Sequence, residues 1–434
     1  MDFSHSVEYL LSLGNEVSAM KLGLDNIRTL LAELGNPHEK YLKVQVAGTN
    51  GKGSVCAFLD SICNEAGIST GTYTSPHLVS ITERVRINGD DIAEDEFARF
   101  ANVVRETVES LVAEGKLAYT PTFFEQVTAI ALLAFAEHNV ELAILETGLG
   151  GRLDAITATN SQIAAITRID LDHQEYLGNT IEEIAAEKAA IIRAGSKVVI
   201  GSQIESAMKV ILDRCANAGV VPLTVCESSV SAVDLSKNSS VVEFRTTRGV
   251  YWDSSLGLAG RHQVENACVA VLLAETLALD FEFPITEENI WIGLEEATHP
   301  GRLEYIGNRY LLDGAHNPSG TKALRSYLGE FENSRGVVMV FGAMEGKDVS
   351  EMLAALARSA DTLIITRPGN SRAMMPEDID KMMPGDADWN HVFIEASVKE
   401  ALDKAETLTL PDGLILVTGS LYLVGEVKKL LNNR

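Results

Sequence analysis

Basic residues are scarce in this 434-residue chain: 36 Lys and Arg stand against 61 Asp and Glu, a formal charge of −25. A surface of that sign repels nucleic acid and anionic membranes, so neither is expected as a partner. An anionic substrate would need local lysine, arginine or metal to enter that field. Long hydrophobic runs are also missing. The longest is about ten residues, around 129–136, half of the ~20 a membrane helix needs. The start, MDFSHSVEYL, lacks the basic stretch and apolar core of a signal peptide. Cysteine is sparse. Cys56, Cys63, Cys215, Cys226 and Cys268 show no metal-ligand spacing, and Cys56 and Cys63, seven apart on one helical face, read as core. A reduced, cytoplasmic protein is expected. Low-complexity tracts and internal repeats are absent.

What remains is a globular composition, 46% hydrophobic and 22% charged, with room for two or three domains. Strand and helix patterns alternate. Strands are expected at 43–47, 70–74, 140–146, 163–169, 197–201 and 222–226. Helices are expected at 55–66, 94–114, 123–139 and 180–194, the last opened by a capping box of Thr180 and Glu183. That is the rhythm of a mostly parallel sheet with helices on both faces. Residues 239–252 alternate as antiparallel strands, and 263–279 reads as a helix. A linker is expected at 297–301. Beyond it come strands at 310–313, 336–341, 361–366 and 414–418, a second and smaller α/β domain. The boundaries are therefore 1–296 and 297–434.

The stretch VAGTNGKGSV, 46–55, reads as a phosphate loop with altered spacing. The common pattern puts a hydroxyl directly after the lysine. Here Gly53 follows Lys52, and the hydroxyl comes at Ser54. The mechanism still works. Gly48, Gly51 and Gly53 allow close backbone approach, Lys52 adds charge, and the helix start offers free N–H groups. A plain glycine-rich turn is the bland alternative.

Ligands of open parallel sheets bind at the carboxyl ends of the strands. Four successive strand ends carry chemistry: the loop itself; Ser75-Pro76-His77; Glu146 followed by GLGGRLD (148–154); and Asp170, Asp172 and His173. A buried Glu146 needs a metal or an arginine, with Arg152 or Arg168 as structural partners. Lys188 falls in the apolar stripe Ile181, Ile184, Ala185, Ile191, Ile192. A buried ammonium loses its proton readily. It then acts as a base, pairs with an anion or is modified; the alternative is a snorkelling lysine with its head in water. In the second domain, LDGAHNPSG (312–320) puts Asp313 after a strand and His316 in the following turn, and Arg302 stands at the linker, placed to reach a phosphate.

These stretches together resemble the folylpolyglutamate synthase/dihydrofolate synthase family of the Mur ligase superfamily. The resemblance runs through VAGTNGKGS, YTSPHL, ITERVRING, TFFE, LETGLGGRLDA, LDHQEYLG, EKAAIIR, GRLE, LDGAHNP and GSLYLVGE in order, over nearly the whole chain. It implies a P-loop, Mur-ligase-like α/β domain with a mostly parallel sheet, plus a smaller Rossmann-like α/β C-terminal domain. It implies ATP-dependent joining of L-glutamate to 7,8-dihydropteroate or to reduced folates through an acyl phosphate, by a monomer. ATP would be bound by Gly48, Thr49, Asn50, Gly51, Lys52, Gly53, Ser54, Asn266, Arg302 and Asp313. Two Mg²⁺ ions would be held by Ser54 on the phosphate side and by Ser75, Glu146 and His173. Lys188 would be carbamylated by CO₂, with His316, Lys52 and Asp313 as its catalytic companions. The pterin would lie against Thr122, Phe123, Phe124, Glu125, Leu153, Asp154 and Ala155, covered by Lys21, Leu22 and Gly23. Core packing is the alternative for the two phenylalanines.

The chain departs from the family pattern at LDAIT (153–157), at Ala190 and at GAMEGKD (342–348). Two other readings compete. A ligase acting on a UDP-muramyl precursor shares fold and chemistry but does not account for TFFE and LDHQEYLG. A nucleotide-dependent regulator without ligation leaves Lys188 and His316 unexplained.

Overall fold

The computed structural model describes residues 1–14, 23–117, 119–225, 230–235, 240–246, 249–331, 336–385 and 389–433. Lys21, Leu22, Cys226 and Ser239 lie outside them.

The large sheet has eight strands: β1 (Leu42–Ala47), β2 (Thr70–Tyr73), β3 (Val85–Ile87), β4 (Asp90–Asp91), β5 (Leu142–Glu146), β6 (Ile163–Ile166), β7 (Lys197–Ile200) and β8 (Leu223–Thr224). Their order is β4-β3-β2-β5-β1-β6-β7-β8. From β2 to β8 every pairing is parallel, and β3 and β4 form an antiparallel edge. β1 lies between β5 and β6, so Ala47, Glu146 and Ile166 end side by side. The loops that follow these strands open onto one edge.

Burial on both faces explains the near-continuous apolar strands. β5 (LAILE) is buried throughout, its terminal glutamate included. The helix Phe123–Glu137 packs on β2, and twelve of its fifteen residues are buried. Close approach requires Gly71, where a Cβ would stand 2.4 Å from the Phe135 ring. Thr122 and Glu125 form a full capping box at its start, and the expected box of Thr180 and Glu183 is present too. Cys56 and Cys63 are fully buried under the sheet.

The region expected as antiparallel is a three-stranded sheet of β9 (Val230–Leu235), β10 (Ser240–Arg245) and β11 (Val250–Leu256). The long helix Arg261–Asp280 follows it. The third sheet holds β12 (Glu304–Ile306), β13 (Tyr310–Leu312), β14 (Val337–Phe341), β15 (Thr362–Ile365), β16 (His391–Ile394) and β17 (Leu414–Thr418). Its order is β12-β13-β17-β14-β15-β16, parallel except for β12.

Several boundaries differ from the sequence expectation. The helix expected at 55–66 begins at Lys52, because Gly51 takes a left-handed φ of 88° and turns the chain early. The helix expected at 180–194 ends at Ala189, and Ile191 and Ile192 are buried in the turn beyond it. The strand expected at 163–169 stops at Ile166, where the chain leaves the sheet to line the cavity. The helices Phe3–Ser12, Asp25–Glu33, Glu205–Ala218 and Glu287–Glu296 were not among the expected elements. Among the described residues, no helix is long and apolar enough to cross a membrane.

Candidate active site

The strand ends of the first and third sheets face one cavity of about 710 Å³. The phosphate loop forms one wall. Its backbone is pinned to the segment after β6: the Thr49 and Asn50 N–H groups donate to the Arg168 carbonyl at 2.8 and 3.3 Å. Thr167 donates its hydroxyl to the Asn50 carbonyl at 2.7 Å. Gly51 is required twice over. Its φ is positive, and a Cβ would stand 2.2 Å from Asn266 Oδ1. Asn266 is fixed there by donating to Gln263 Oε1 at 2.9 Å. No side chain caps the helix Lys52–Glu65, so its first N–H groups, beside Lys52 and Ser54, remain available to an anion.

Glu146 sits at the end of β5, 6% exposed. One oxygen accepts from the Ser75 N–H at 3.0 Å, and the other lies 4.0 Å from Lys52 Nζ. The two arginines considered as structural partners are engaged elsewhere: Arg152 with Glu187 at 2.9 Å and Arg168 with Asp170 at 3.4 Å.

Lys188 is 5% exposed, which rules out snorkelling. Its amine donates to the Gly48 carbonyl at 2.8 Å, tying the helix Ile181–Ala189 to the first residue of the phosphate loop. Burial, and then the charge of Lys52, bring its pKa down to about 7. At neutral pH a large fraction of the amine is therefore free base.

Asp172 gathers the opposite wall. Lys347 donates to it at 2.6 Å, and Asn317 donates at 3.1 Å while also donating to Asn50 Oδ1 at 3.0 Å. His316 Nε2 lies 3.8 Å away. Burial alone would raise the Asp172 carboxyl; the Lys347 ammonium, with His173 and His316 beyond it, outweighs that and holds it below the usual carboxylate range. Burial takes His173 down to about 4 and His316 to about 3. His316 Nδ1 lies 2.9 Å from the Gly314 carbonyl. A carbonyl only accepts, so the proton sits on Nδ1 and Nε2 is left as an acceptor.

Asp313 is buried, and its carboxylate accepts from the Leu303 and Ala315 N–H groups at 3.0 Å each. It holds together the turn that presents Arg302 and His316. Asp154 works in the same way for the glycine loop, accepting from Leu149 and Ile156. Burial raises it to about 6.

The cavity is lined by Gly23, Ser75, Thr122, Phe124, Glu125, Leu153, Asp154 and Ala155, as well as by residues 48–54, Glu146, His173, Lys188, Asn266, Arg302, Asp313 and His316. Phe123 is a correction. It faces the core at 3% exposed, with the Arg84 guanidinium 5.3 Å from its ring centre. Adjacent helical residues point about 100° apart, and only Phe124 reaches the cavity. Thr122 and Glu125 line it too, but their polar groups serve the capping box. Sequence reasoning missed Lys347 and Asn317. Both follow strand ends or turns of the third sheet, and the rule applied to the first sheet would have found them.

The fold and this two-walled site define a Mur-type ligase. Residues 46–274 match the Mur ligase middle domain and 301–421 the Mur ligase glutamate-ligase domain. The chain is 35% identical to the dihydrofolate synthase/folylpolyglutamate synthase of Bacillus subtilis, over 95% of both chains. It is also 35% identical to a probable bifunctional folylpolyglutamate synthase/dihydropteroate synthase of Haloferax volcanii, of whose length it spans 50%. Its fold superimposes on Mycobacterium tuberculosis folylpolyglutamate synthase complexed with ADP and AMPPCP, with a TM-score of 0.90, 31% identity and 99% of both chains covered. It also superimposes on E. coli FolC in complex with DHPP and ADP, with a TM-score of 0.87, 28% identity, and 100% and 98% covered. The chain belongs to the dihydrofolate synthase/folylpolyglutamate synthase family of Mur ligases.

Proposed function

We propose that the chain joins L-glutamate to 7,8-dihydropteroate and to reduced folates at the expense of ATP. One observation carries this reading: a single cavity has a phosphate loop on one wall and His316 with Lys347 on the other, with the Phe124-lined glycine loop between them. Residues 48–54 and Lys52 cradle the triphosphate, and Asn266, Arg302 and Asp313 serve the nucleotide side. The acceptor's carboxylate attacks the terminal phosphorus, the bond to the bridging oxygen breaks, and ADP leaves. The amine of L-glutamate then attacks the acyl phosphate, and phosphate departs. Lys52 offsets the repulsion between the two anions in the first step. Neutral His316 Nε2 is suited to receive a hydrogen bond from the amine in the second.

Among the described residues no cluster of three or more His, Cys, Asp or Glu side chains is built to hold a metal alone. Ser54 and Glu146 nevertheless fit a Mg²⁺ that arrives with the triphosphate, since that ion keeps waters and needs only one or two protein oxygens. His173 stands 3.4 Å from the Lys347 ammonium, so its place beside a second Mg²⁺, with Ser75 and Glu146, requires Lys347 to withdraw. When bound, Mg²⁺ neutralises phosphate charge and polarises the phosphoryl group. Lys188 is the proposed carbamate: its free amine bonds to CO₂ carbon with loss of one proton, and the resulting anion has Lys52 beside it. Cys56, Cys63 and Cys215, buried and outside any disulfide, support a reducing cytoplasmic setting. The cavity-lining residues named above all come from one chain, which supports a monomer.

The test is ADP release by purified protein with MgATP and L-glutamate, adding 7,8-dihydropteroate or tetrahydrofolate. Release with both supports the bifunctional reading, and release with one assigns a single activity. Silence with both, in protein that binds ATP, would overturn it.

A further inference from the structure

Three of the cavity's arginines carry a carboxylate partner: Arg152 with Glu187, Arg168 with Asp170, and Arg261 with Glu330. Arg372 lines the same cavity, yet no carboxylate among the described residues pairs with it, and its Nε is buried without a hydrogen-bond partner. Arg372 is half-buried, so its guanidinium is open to an anion that enters the cavity.

Its position narrows what that anion is. Arg372 lies in the loop after β15. This loop is clasped to the loop after β14: the Glu345 N–H donates to the Arg372 carbonyl at 2.9 Å, and Met374 donates to Ala343 at 3.0 Å. An isolated bridge joins Met344 to Ala373. The backbones that carry Lys347 and Arg372 are therefore held together, and the two cations line the same cavity. Lys347 is the inner member, bonded to the Asp172 carboxylate that also faces His316. Arg372, half-buried on the cavity wall and without such an anchor, is the outer member.

An amino acid whose amine reaches the His316 side brings its α-carboxylate one carbon away and its side-chain carboxylate farther out. We propose that Arg372 binds the side-chain carboxylate of the incoming amino acid and so selects glutamate over its amide. Lys347 is the inner cation on the α-carboxylate side. A planar guanidinium suits a terminal carboxylate because it donates through two parallel bonds. The inference rests on the ligase reading above and assigns a residue to one part of it.

The experiment compares wild type with Arg372→Met and Arg372→Lys, using MgATP and tetrahydrofolate or 7,8-dihydropteroate. Three nucleophiles are offered: L-glutamate, L-glutamine and hydroxylamine. Hydroxylamine carries no carboxylate and captures the acyl phosphate as a hydroxamate, releasing phosphate. In Arg372→Met the KM for L-glutamate should rise about 10–100-fold. The kcat/KM ratio of glutamate to glutamine should fall toward one, and glutamate use should fall far more than hydroxylamine use. Arg372→Lys should recover part of the ratio. An unchanged glutamate-to-glutamine ratio would overturn the assignment, as would equal losses with glutamate and hydroxylamine. Absence of hydroxamate in the wild type would instead sink the ligase reading itself.

Discussion

Lys188 shows how a single residue ties chemistry to stability. Its amine is buried, donates to the Gly48 carbonyl, and has its pKa lowered to about 7 by burial and by Lys52. An unfolded lysine keeps its proton to about 10.4. Between pH 7 and that value the unfolded chain holds a proton that the folded chain has released. Folding stability from this group therefore rises with pH across the window and is flat below it. In CO₂-free buffer, the wild type should gain about 2 kcal/mol from this site between pH 7 and 9. Lys188→Met should lack that increment and be inactive at both pH values. Urea denaturation of the two proteins at pH 7 and 9 checks it. An equal gain in both would mean that the amine reaches water.

At the scale of elements, the helix Ile181–Ala189 must dock closely enough to deliver Lys188. Gly151 permits this: a Cβ there would stand 2.7 Å from the Glu187 carbonyl oxygen and 2.9 Å from that of Lys188. Both are backbone atoms and cannot rotate away. Gly151→Ala should therefore cost about 1–3 kcal/mol and lower activity by moving Lys188. Gly67→Ala is the control. That position has a φ of 72° and open space around it, so its cost of about 1–2 kcal/mol should leave activity per folded molecule intact. Thermal melts and specific activity separate the two effects.

Elements also mark what was legible in the sequence. The residues after β1, β5 and β6 could be read because strand ends of a parallel sheet converge by topology alone. Lys188 could be read because a charge in an apolar stripe is anomalous. The choice between Phe123 and Phe124 could not, since both sit in the first turn of a mostly buried helix and only its docking decides which faces the cavity. The T-x-x-E spacing of Thr122 and Glu125 was itself a capping signal, and here the polar groups of TFFE serve the backbone. Asn317 and Lys347 draw their meaning from Asp172, more than 140 residues away or more than 170. Such pairings appear only when the third sheet is set against the first.

For the whole molecule, the seam between the two sheets collects histidines that the fold keeps neutral. Burial, the largest cause in each case, lowers His77, His299 and His316 to about 3 and His173 and His262 to about 4. Unfolded histidine titrates near 6.5. As pH falls through 6.5 the unfolded chain takes up protons that these five sites refuse, so the stability present above pH 6.5 is lost progressively toward the folded values. The large negative charge works the other way, because protonating surface carboxylates relieves self-repulsion, but that begins only near their own pKa of about 4. Within this window Asp154, raised to about 6 by burial, works against them, but five sites outweigh one, and the urea midpoint should fall across the interval from pH 6.5 to 5. His77 offers a clean test. It accepts from Arg84 Nε at 2.8 Å, and a glutamine can accept there without titrating. His77→Gln should make the decline between pH 6.5 and 5 shallower by about one proton's worth of slope. A decline of unchanged steepness would show that His77 takes up its proton without opening the seam, and that the acid sensitivity is set elsewhere.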